Sequence, residues 1–151
     1  MIALVQRVSS SSVSINNNLK SQINSLGLLI FLCITKNDSK KDAENLYNKI
    51  SNFRMFPDNQ KNMNISVKDI RGSVMVVSQF TLCGNVNNGR RPSFEKAAAP
   101  SKAIKLYNKF IDMFKTNDLN VKSGEFGKSM DVSLVNMGPV TFYFNTENDE
   151  K

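Results

Sequence analysis

Three short stretches carry residue types able to do chemistry. The first is Ser78-Gln79-Phe80-Thr81-Leu82, where polar side chains interrupt an apolar run. Hydroxyls and free backbone amides placed there could be aimed at a carbonyl oxygen and stabilise charge developing on it. The same residues also read as cross-strand hydrogen bonding, because polar groups at the end of a buried strand need partners. The second stretch is Gly89-Arg90-Arg91-Pro92-Ser93-Phe94. Two arginines held between Gly and Pro can grip a phosphate, and they fit equally a solvated surface loop or the bracing of a helix start. The third, Val135-Asn136-Met137-Gly138-Pro139-Val140-Thr141, breaks a strand-like region with a Gly-Pro pair. Proline removes a ladder donor and belongs at strand edges or bulges. The Gly-Pro bond also has access to the cis form at roughly 0.5–1 kcal/mol, although spacing alone reads as a plain turn.

Composition narrows the chemistry. The chain of 151 residues contains no His, which removes the usual general base near neutral pH, the Ser-His-Asp triad and His-based metal sites. A Ser or Thr nucleophile needs an adjacent base, and no carboxylate lies between Asp69 and Glu95. Either a distant residue serves or the substrate brings its own. Cys33 and Cys83 have neither disulfide nor zinc spacing and read as buried free thiols. No metal and no cofactor is expected. The net charge of +7 favours a polyanion or an anionic surface, and fits a lysine-rich surface as well. The N-terminus alternates like a strand rather than a signal peptide. No run approaches the roughly 20 apolar residues of a membrane helix. A cytoplasmic protein with no membrane partner is expected.

The elements that must position these stretches form one domain, 1–151, with a charged tail from about residue 146. Ile2 to Val8 and Ser12 to Ile15 read as strand, Asn16-Asn17-Asn18 as a hairpin turn and Leu19 to Ile23 as the returning strand. The apolar run from Gly27 to Thr35 reads as a buried strand. Asp38 or Ser39 starts a helix with Asp42 in its first turn. Its apolar face is Ala43, Leu46, Tyr47, Ile50 and Phe53. Ile65 and Val67 suggest a short strand, and Ser73 to Cys83 the strongest strand of the chain. Ser93 to Ala98 suggests a short helix. Pro100-Ser101 opens a second long helix with Ile104, Tyr107, Phe110, Ile111 and Phe114 on one face. Strands follow at Leu119–Lys122, Met130–Val135 and Val140–Asn145. Many short strands with two amphipathic helices predict an α+β fold, the helices covering a curved sheet or open barrel.

In combination these strings are far more specific. MIALVQRVSSSSVSI, SQFTL, GRRPSFEKAAAP and SLVNMGPVT occur in that order. From Met1 to about Asn145 the chain resembles the D-aminoacyl-tRNA deacylase (D-tyrosyl-tRNA deacylase) family, whose two signature motifs are SQFTL and NxGPVT. The resemblance implies a β-barrel-like sheet with two long helices, assembled as a homodimer with sites at the interface. It implies hydrolysis of the ester between a D-amino acid, or glycine, and the terminal ribose of tRNA, with no DNA partner. Ser78, Gln79, Phe80 and Thr81 would line the site, with the Phe80 amide as oxyanion donor. Thr81 would position substrate while the terminal adenosine 2′-hydroxyl activates water. Gly138 and Pro139, joined by a cis bond, would form a chiral gate lent by the partner subunit, with Arg7 orienting it. Met130 would lie near the terminal adenosine, and Arg90 and Arg91 would touch tRNA. Two departures flank the motifs. Cys83-Gly84-Asn85 stand where many relatives have an aromatic residue and an acid, and Met137 replaces a frequent acid. A non-catalytic basic RNA-binding module is the main rival. It lacks the interleaved aromatics that stack bases. A small hydrolase of free D-amino acid esters or peptides is a further alternative.

Overall fold

Ile2–Ile15 forms one continuous strand, β1, where the sequence suggested two pieces. The chain is described by a computed structural model covering residues 1–87 and 89–148. Asn16 and Asn17 both adopt left-handed backbone angles (φ 49° and 62°) and turn the chain into β2, Asn18–Ile23. The first half of β1 pairs antiparallel with β3, Gly27–Cys33, and its second half with β2. The long strand β6, Asp131–Asn145, follows β1 along both halves. β4, Ser73–Ser78, lies parallel to β3, and β5, Asn120–Ser123, parallel to β4. The sheet then comes round on itself. Ser21 of β2 donates its hydroxyl to the Ser123 carbonyl of β5 at 2.8 Å. The result is a nearly closed, barrel-like sheet in an α+β fold.

Helices α1 (Lys40–Asn52) and α2 (Pro100–Lys115) cover one face. Successive strand residues point to opposite faces. Leu28, Ile30, Leu32, Val74 and Val76 therefore pack against Leu46, Ile50, Phe110 and Phe114 of the helices. Leu29, Met75 and Val77 meet Val8, Val13 and Ile23 on the other side. Burial on both faces explains why β3 reads as an unbroken apolar run. Ser39 caps α1, and the Asp42 carboxylate accepts from the Ser39 amide and hydroxyl at 2.8 and 2.6 Å. Asp38 is engaged elsewhere, accepting from the Met1 ammonium and the Thr35 amide. On α2, Ile104 is 39% exposed and leaves the expected apolar face, while Ala103 and Leu106 are buried.

Three segments differ from the sequence reading. The strand expected from Ser73 to Cys83 stops at Ser78. The Gln79 amide makes a last bond to the Leu32 carbonyl at 2.8 Å, and β3 itself ends at Cys33. With no neighbour left to pair with, the chain coils into a 3₁₀ turn, Phe80–Cys83. The strand alternation expected for Ser78 to Thr81 is therefore absent. Residues 93–98 are not helical: Ser93 bridges Asn85 and Ala97 bridges Thr35, which holds the ends of the segment in extended pairings. Ile65 makes only an isolated bridge to Phe56, and the Asp69 carboxylate caps the turn beginning at Ser66. The expected tail overlaps the 3₁₀ turn Thr146–Asn148, whose first residue is buried, its hydroxyl against the Met1 ammonium. Residues 149–151 lie outside the described residues.

Candidate active site

A cavity of about 650 Å³ opens where β4 ends. Leu32, Ile34 and Val77 form its apolar floor, and Ser78, Gln79 and Phe80 stand at the strand's end. One wall is the segment carrying Ala97, Ala98 and Pro100; the other is the loop from Phe126 to Met130. Among the described residues no carboxylate lines the cavity, and Lys128 is the one charged lining residue.

The 3₁₀ turn Phe80–Cys83 is the polar feature of this pocket. A helical turn leaves its first amides without partners. Neither the Phe80 nor the Thr81 amide has a hydrogen-bond acceptor among the described residues. Two such amides at a cavity edge can receive a carbonyl oxygen and the negative charge it gains on attack. The Gln79 side-chain amide donates to the Thr81 hydroxyl oxygen. No base touches that hydroxyl among the described residues, so nothing here activates it as a nucleophile.

The turn is supported from beneath by two thiols that sequence spacing did not bring together. Cys33 and Cys83 both donate to the Phe80 carbonyl, at 3.5 and 3.1 Å. Burial above all, and then the neighbouring Cys83 thiol, pushes the Cys33 thiol up to about 12. It is an inert donor at neutral pH. The Phe80 ring is 57% exposed and packs edge-on to Phe94 at 4.9 Å. Gly84 permits that contact, because a Cβ there would lie 2.9 Å from the Phe94 ring.

The facing loop is equally fixed. The Met130 sulfur accepts from the Glu125 amide at 3.4 Å and sits where a Gly124 Cβ would come within 2.6 Å of it. Gly127 turns with φ 78°. The family resemblance marked Met130 as a site residue. It did not mark Lys128, Ser129 or the wall at Ala97–Pro100, because their approach to Ser78 is made only by folding.

Gly138 and Pro139 lie elsewhere. Between Gln6 paired with Thr141 and Val8 paired with Asn136, Arg7 alone faces Met137 to Val140, so the ladder bulges. The bulge exposes Gly138 and Pro139, whose bond is cis. Neither residue lines the cavity of its own chain. Arg7 is 8% exposed and holds the bulge from behind. Its Nε donates to the Met137 carbonyl at 3.0 Å, and its Nη1 to the Met55 and Asn62 carbonyls at 2.8 and 3.4 Å. Asn136 closes the other side, its Oδ1 accepting from the Val140 amide at 3.0 Å. The structure thus joins Ser78, Gln79, Phe80 and Met130 around one cavity, leaves Thr81 outside the lining though next to Phe80 in the turn, and sets Arg7, Gly138 and Pro139 apart. Arg90 and Arg91 are exposed beyond Phe94 and do not line the cavity.

Residues 4–145 match the family model described as D-Tyr-tRNA(Tyr) deacylase. The chain belongs to that family. A D-aminoacyl-tRNA deacylase from Thermodesulfovibrio yellowstonii is 52% identical over 97% of this chain and 99% of its own. A solved structure titled c-Myc DNA Unwinding Element Binding Protein is 34% identical, with a TM-score of 0.90 over 97% of this chain and 99% of that one. A probable eukaryotic D-amino acid tRNA deacylase shares the fold, with a TM-score of 0.80 at 16% identity, covering 95% and 97%. The D-Tyr-tRNA(Tyr) deacylase match spans β1 to β6 and so includes both the cavity and the bulge. Among the described residues no helix is long and apolar enough to cross a membrane, and no three His, Cys, Asp or Glu side chains cluster as a metal site.

Proposed function

We propose that the protein hydrolyses the ester joining a D-amino acid, or glycine, to the terminal ribose of tRNA, releasing the amino acid and intact tRNA. The observation that carries this reading is a cavity lined by Phe80, whose main-chain amide has no acceptor, and, among the described residues, by no carboxylate. Such a site can stabilise an oxyanion but leaves proton transfer to the substrate. Water attacks the ester carbonyl, and the oxygen that gains charge accepts from the Phe80 amide. The 2′-hydroxyl of the terminal adenosine takes the proton from water as it passes its own to the departing 3′-oxygen, so the acyl group leaves as the free acid and the ribose keeps both hydroxyls. Thr81, with Gln79, positions the substrate, and Met130 flanks the adenosine. Arg90 and Arg91 contact the tRNA.

Gly138 and Pro139 act in the partner subunit's cavity within a homodimer. Their carbonyls accept from the α-ammonium group, and an L side chain would collide with them. Glycine has no side chain to collide. The exposure of the Gly-Pro bulge outside its own cavity, with Arg7 braced behind it, supports this arrangement.

Mixing two inactive variants tests both halves. Phe80→Pro removes the oxyanion donor at a position where a helical turn accepts proline. Gly138→Ala disrupts the gate. Co-refolding the two should restore activity at about a quarter of the sites, as one site of each mixed dimer is intact. No recovery, with mixed dimers formed, overturns the shared site. Turnover of D-tyrosine methyl ester as fast as D-tyrosyl-tRNA overturns the substrate assignment, and equal cleavage of L-tyrosyl-tRNA overturns the gate.

A further inference from the structure

We infer that Lys36, Lys96, Lys102 and Lys128 form a cationic collar around the cavity mouth that takes the backbone phosphates of the tRNA acceptor end. The inference rests on the proposed tRNA substrate and adds where its backbone is gripped. Three of the lysines are gathered at one wall by the fold. The Lys36 amide donates to the Lys96 carbonyl at 3.0 Å, and the Lys102 ammonium donates to the Lys36 carbonyl at 2.5 Å. Lys96 directly precedes Ala97 and Ala98 of the cavity wall, and Lys102 lies between Pro100 and Ala103 of the same wall. Lys128 belongs to the facing loop.

Two of the acids near this group are engaged elsewhere. Asp38, two residues from Lys36, is buried against the Met1 ammonium at 2.5 Å. Glu125, on the loop of Lys128, pairs with Lys20 at 3.2 Å. Glu95 is the one remaining acid beside the wall, and it makes no ion pair among the described residues. Like charges held together repel, and an arriving polyanion relieves that repulsion. The cavity between the two walls is apolar at its floor and has its polar amides at the β4 end. An aminoacylated nucleoside seated there must lead its chain out between these lysines. Arg90 and Arg91 are exposed and outside the cavity lining, and they are not part of the collar.

The decisive measurement is the salt dependence of binding to uncharged tRNA. Each phosphate contact with a single strand contributes about −0.7 to the slope of log affinity against log salt. Replacing all four lysines by Gln should flatten the slope by up to about 3. It should lower kcat/KM on D-tyrosyl-tRNA roughly 10- to 100-fold at low salt, mainly through KM, and lower that on D-tyrosyl-adenosine, which lacks phosphates, far less. Lys128→Gln alone should flatten the slope by about 0.7, which keeps the test open if the fourfold variant folds poorly. The control triple Lys68→Gln, Arg71→Gln and Lys115→Gln, which removes three positive charges at the far ends of β4 and α2, should change neither slope nor rate. An unchanged slope in the collar variant, an equal change in the control triple, or tighter binding to a DNA hairpin of the same sequence would overturn the collar. If the unaltered protein cleaves neither D-tyrosyl-adenosine nor D-tyrosyl-tRNA, the hydrolase reading falls instead, and the tRNA-binding slope still decides the collar.

Discussion

The Phe80–Cys83 turn and the Gly138-Pro139 bulge are built on opposite plans. The turn caps the end of the sheet, with Cys83 buried and Phe80 exposed. Two buried thiols hold its carbonyl, and Phe94 packs on its ring. Its value lies in amides left without partners. The bulge projects outward, and its support is polar: one arginine satisfies three carbonyls behind it, and one asparagine ties its return. The difference shows how one chain can hold main-chain groups in place with apolar packing and thiols at one point and with a charged fork at another. Backbone groups do the work in each, and side chains only hold them still.

The sharpest way to separate the two regions is Gly138→Ala. At φ 129° a side chain is strained, and its Cβ would come within 2.7 Å of Val140 and 2.9 Å of the Arg7 guanidinium. Activity on D-tyrosyl-tRNA should fall at least about 100-fold, in the range lost when a positioned group is displaced. Thermal unfolding should shift down as well, because the strained φ and the two close contacts cost stability, but the rate loss should be the larger effect. A large loss of stability with intact activity would reverse the contrast.

Arg7→Met should be felt in stability first. Removing a buried guanidinium leaves three carbonyls short of their donor, which costs about 2–3 kcal/mol in denaturant unfolding. Activity should fall as well, because the Met137 carbonyl is released. Arg7→Lys should recover only part of either, since an ammonium cannot span the same carbonyls as a fork.

On the other side, Thr81→Ala should lower kcat by roughly 10-fold without abolishing it, because proton transfer is assigned to the substrate. Complete loss in a folded variant would mark Thr81 as a nucleophile. The companion experiment replaces the terminal adenosine by its 2′-deoxy form, which should stop turnover by the unaltered protein.

The smallest effect concerns the thiols under Phe80. Cys33 is raised from 9.0 to about 12, so its neutral form is favoured by folding. Its contribution is fully present below pH 9. As pH rises from 9 to 12 the unfolded chain loses the thiol proton and the folded chain keeps it. Stability should therefore fall through that window, by at most about 1.4 kcal/mol per pH unit. Burial raises the Tyr107 hydroxyl too, which adds a decline in the same direction above pH 10. Cys33→Ala should flatten the decline between pH 9 and 10. An alkaline profile identical in that variant would show that the thiol is not held as described.

Much of the fold was legible from particular residues. The turn at Asn16 and Asn17, the buried run Leu28 to Leu32 and the face Leu46, Tyr47, Ile50 of α1 are local patterns, and each maps to its element. The reading went astray where a neighbour's length decides the outcome. Ser78 to Cys83 has the composition of a strand, yet coils because β3 ends at Cys33. Ser93 to Ala98 looks helical, yet is drawn into bridges with Asn85 and Thr35. Ile104 matched the helical period but lies at the edge of the face that α1 and the sheet cover.

What the amino-acid order determined by itself was the kind of protein: strands and helices set by short-range periodicity, a site without histidine, and motifs specific enough to name a family. What only the tertiary structure decided was the assembly of the site. The loop carrying Met130, the wall at Ala97 and the thiols of Cys33 and Cys83 reach the end of β4 from distant parts of the chain. Their meeting depends on sheet closure and on which carbonyls and amides are left unpaired. No local pattern of side chains encodes that, because a backbone group is the same in every residue until its neighbours in space decide its partner.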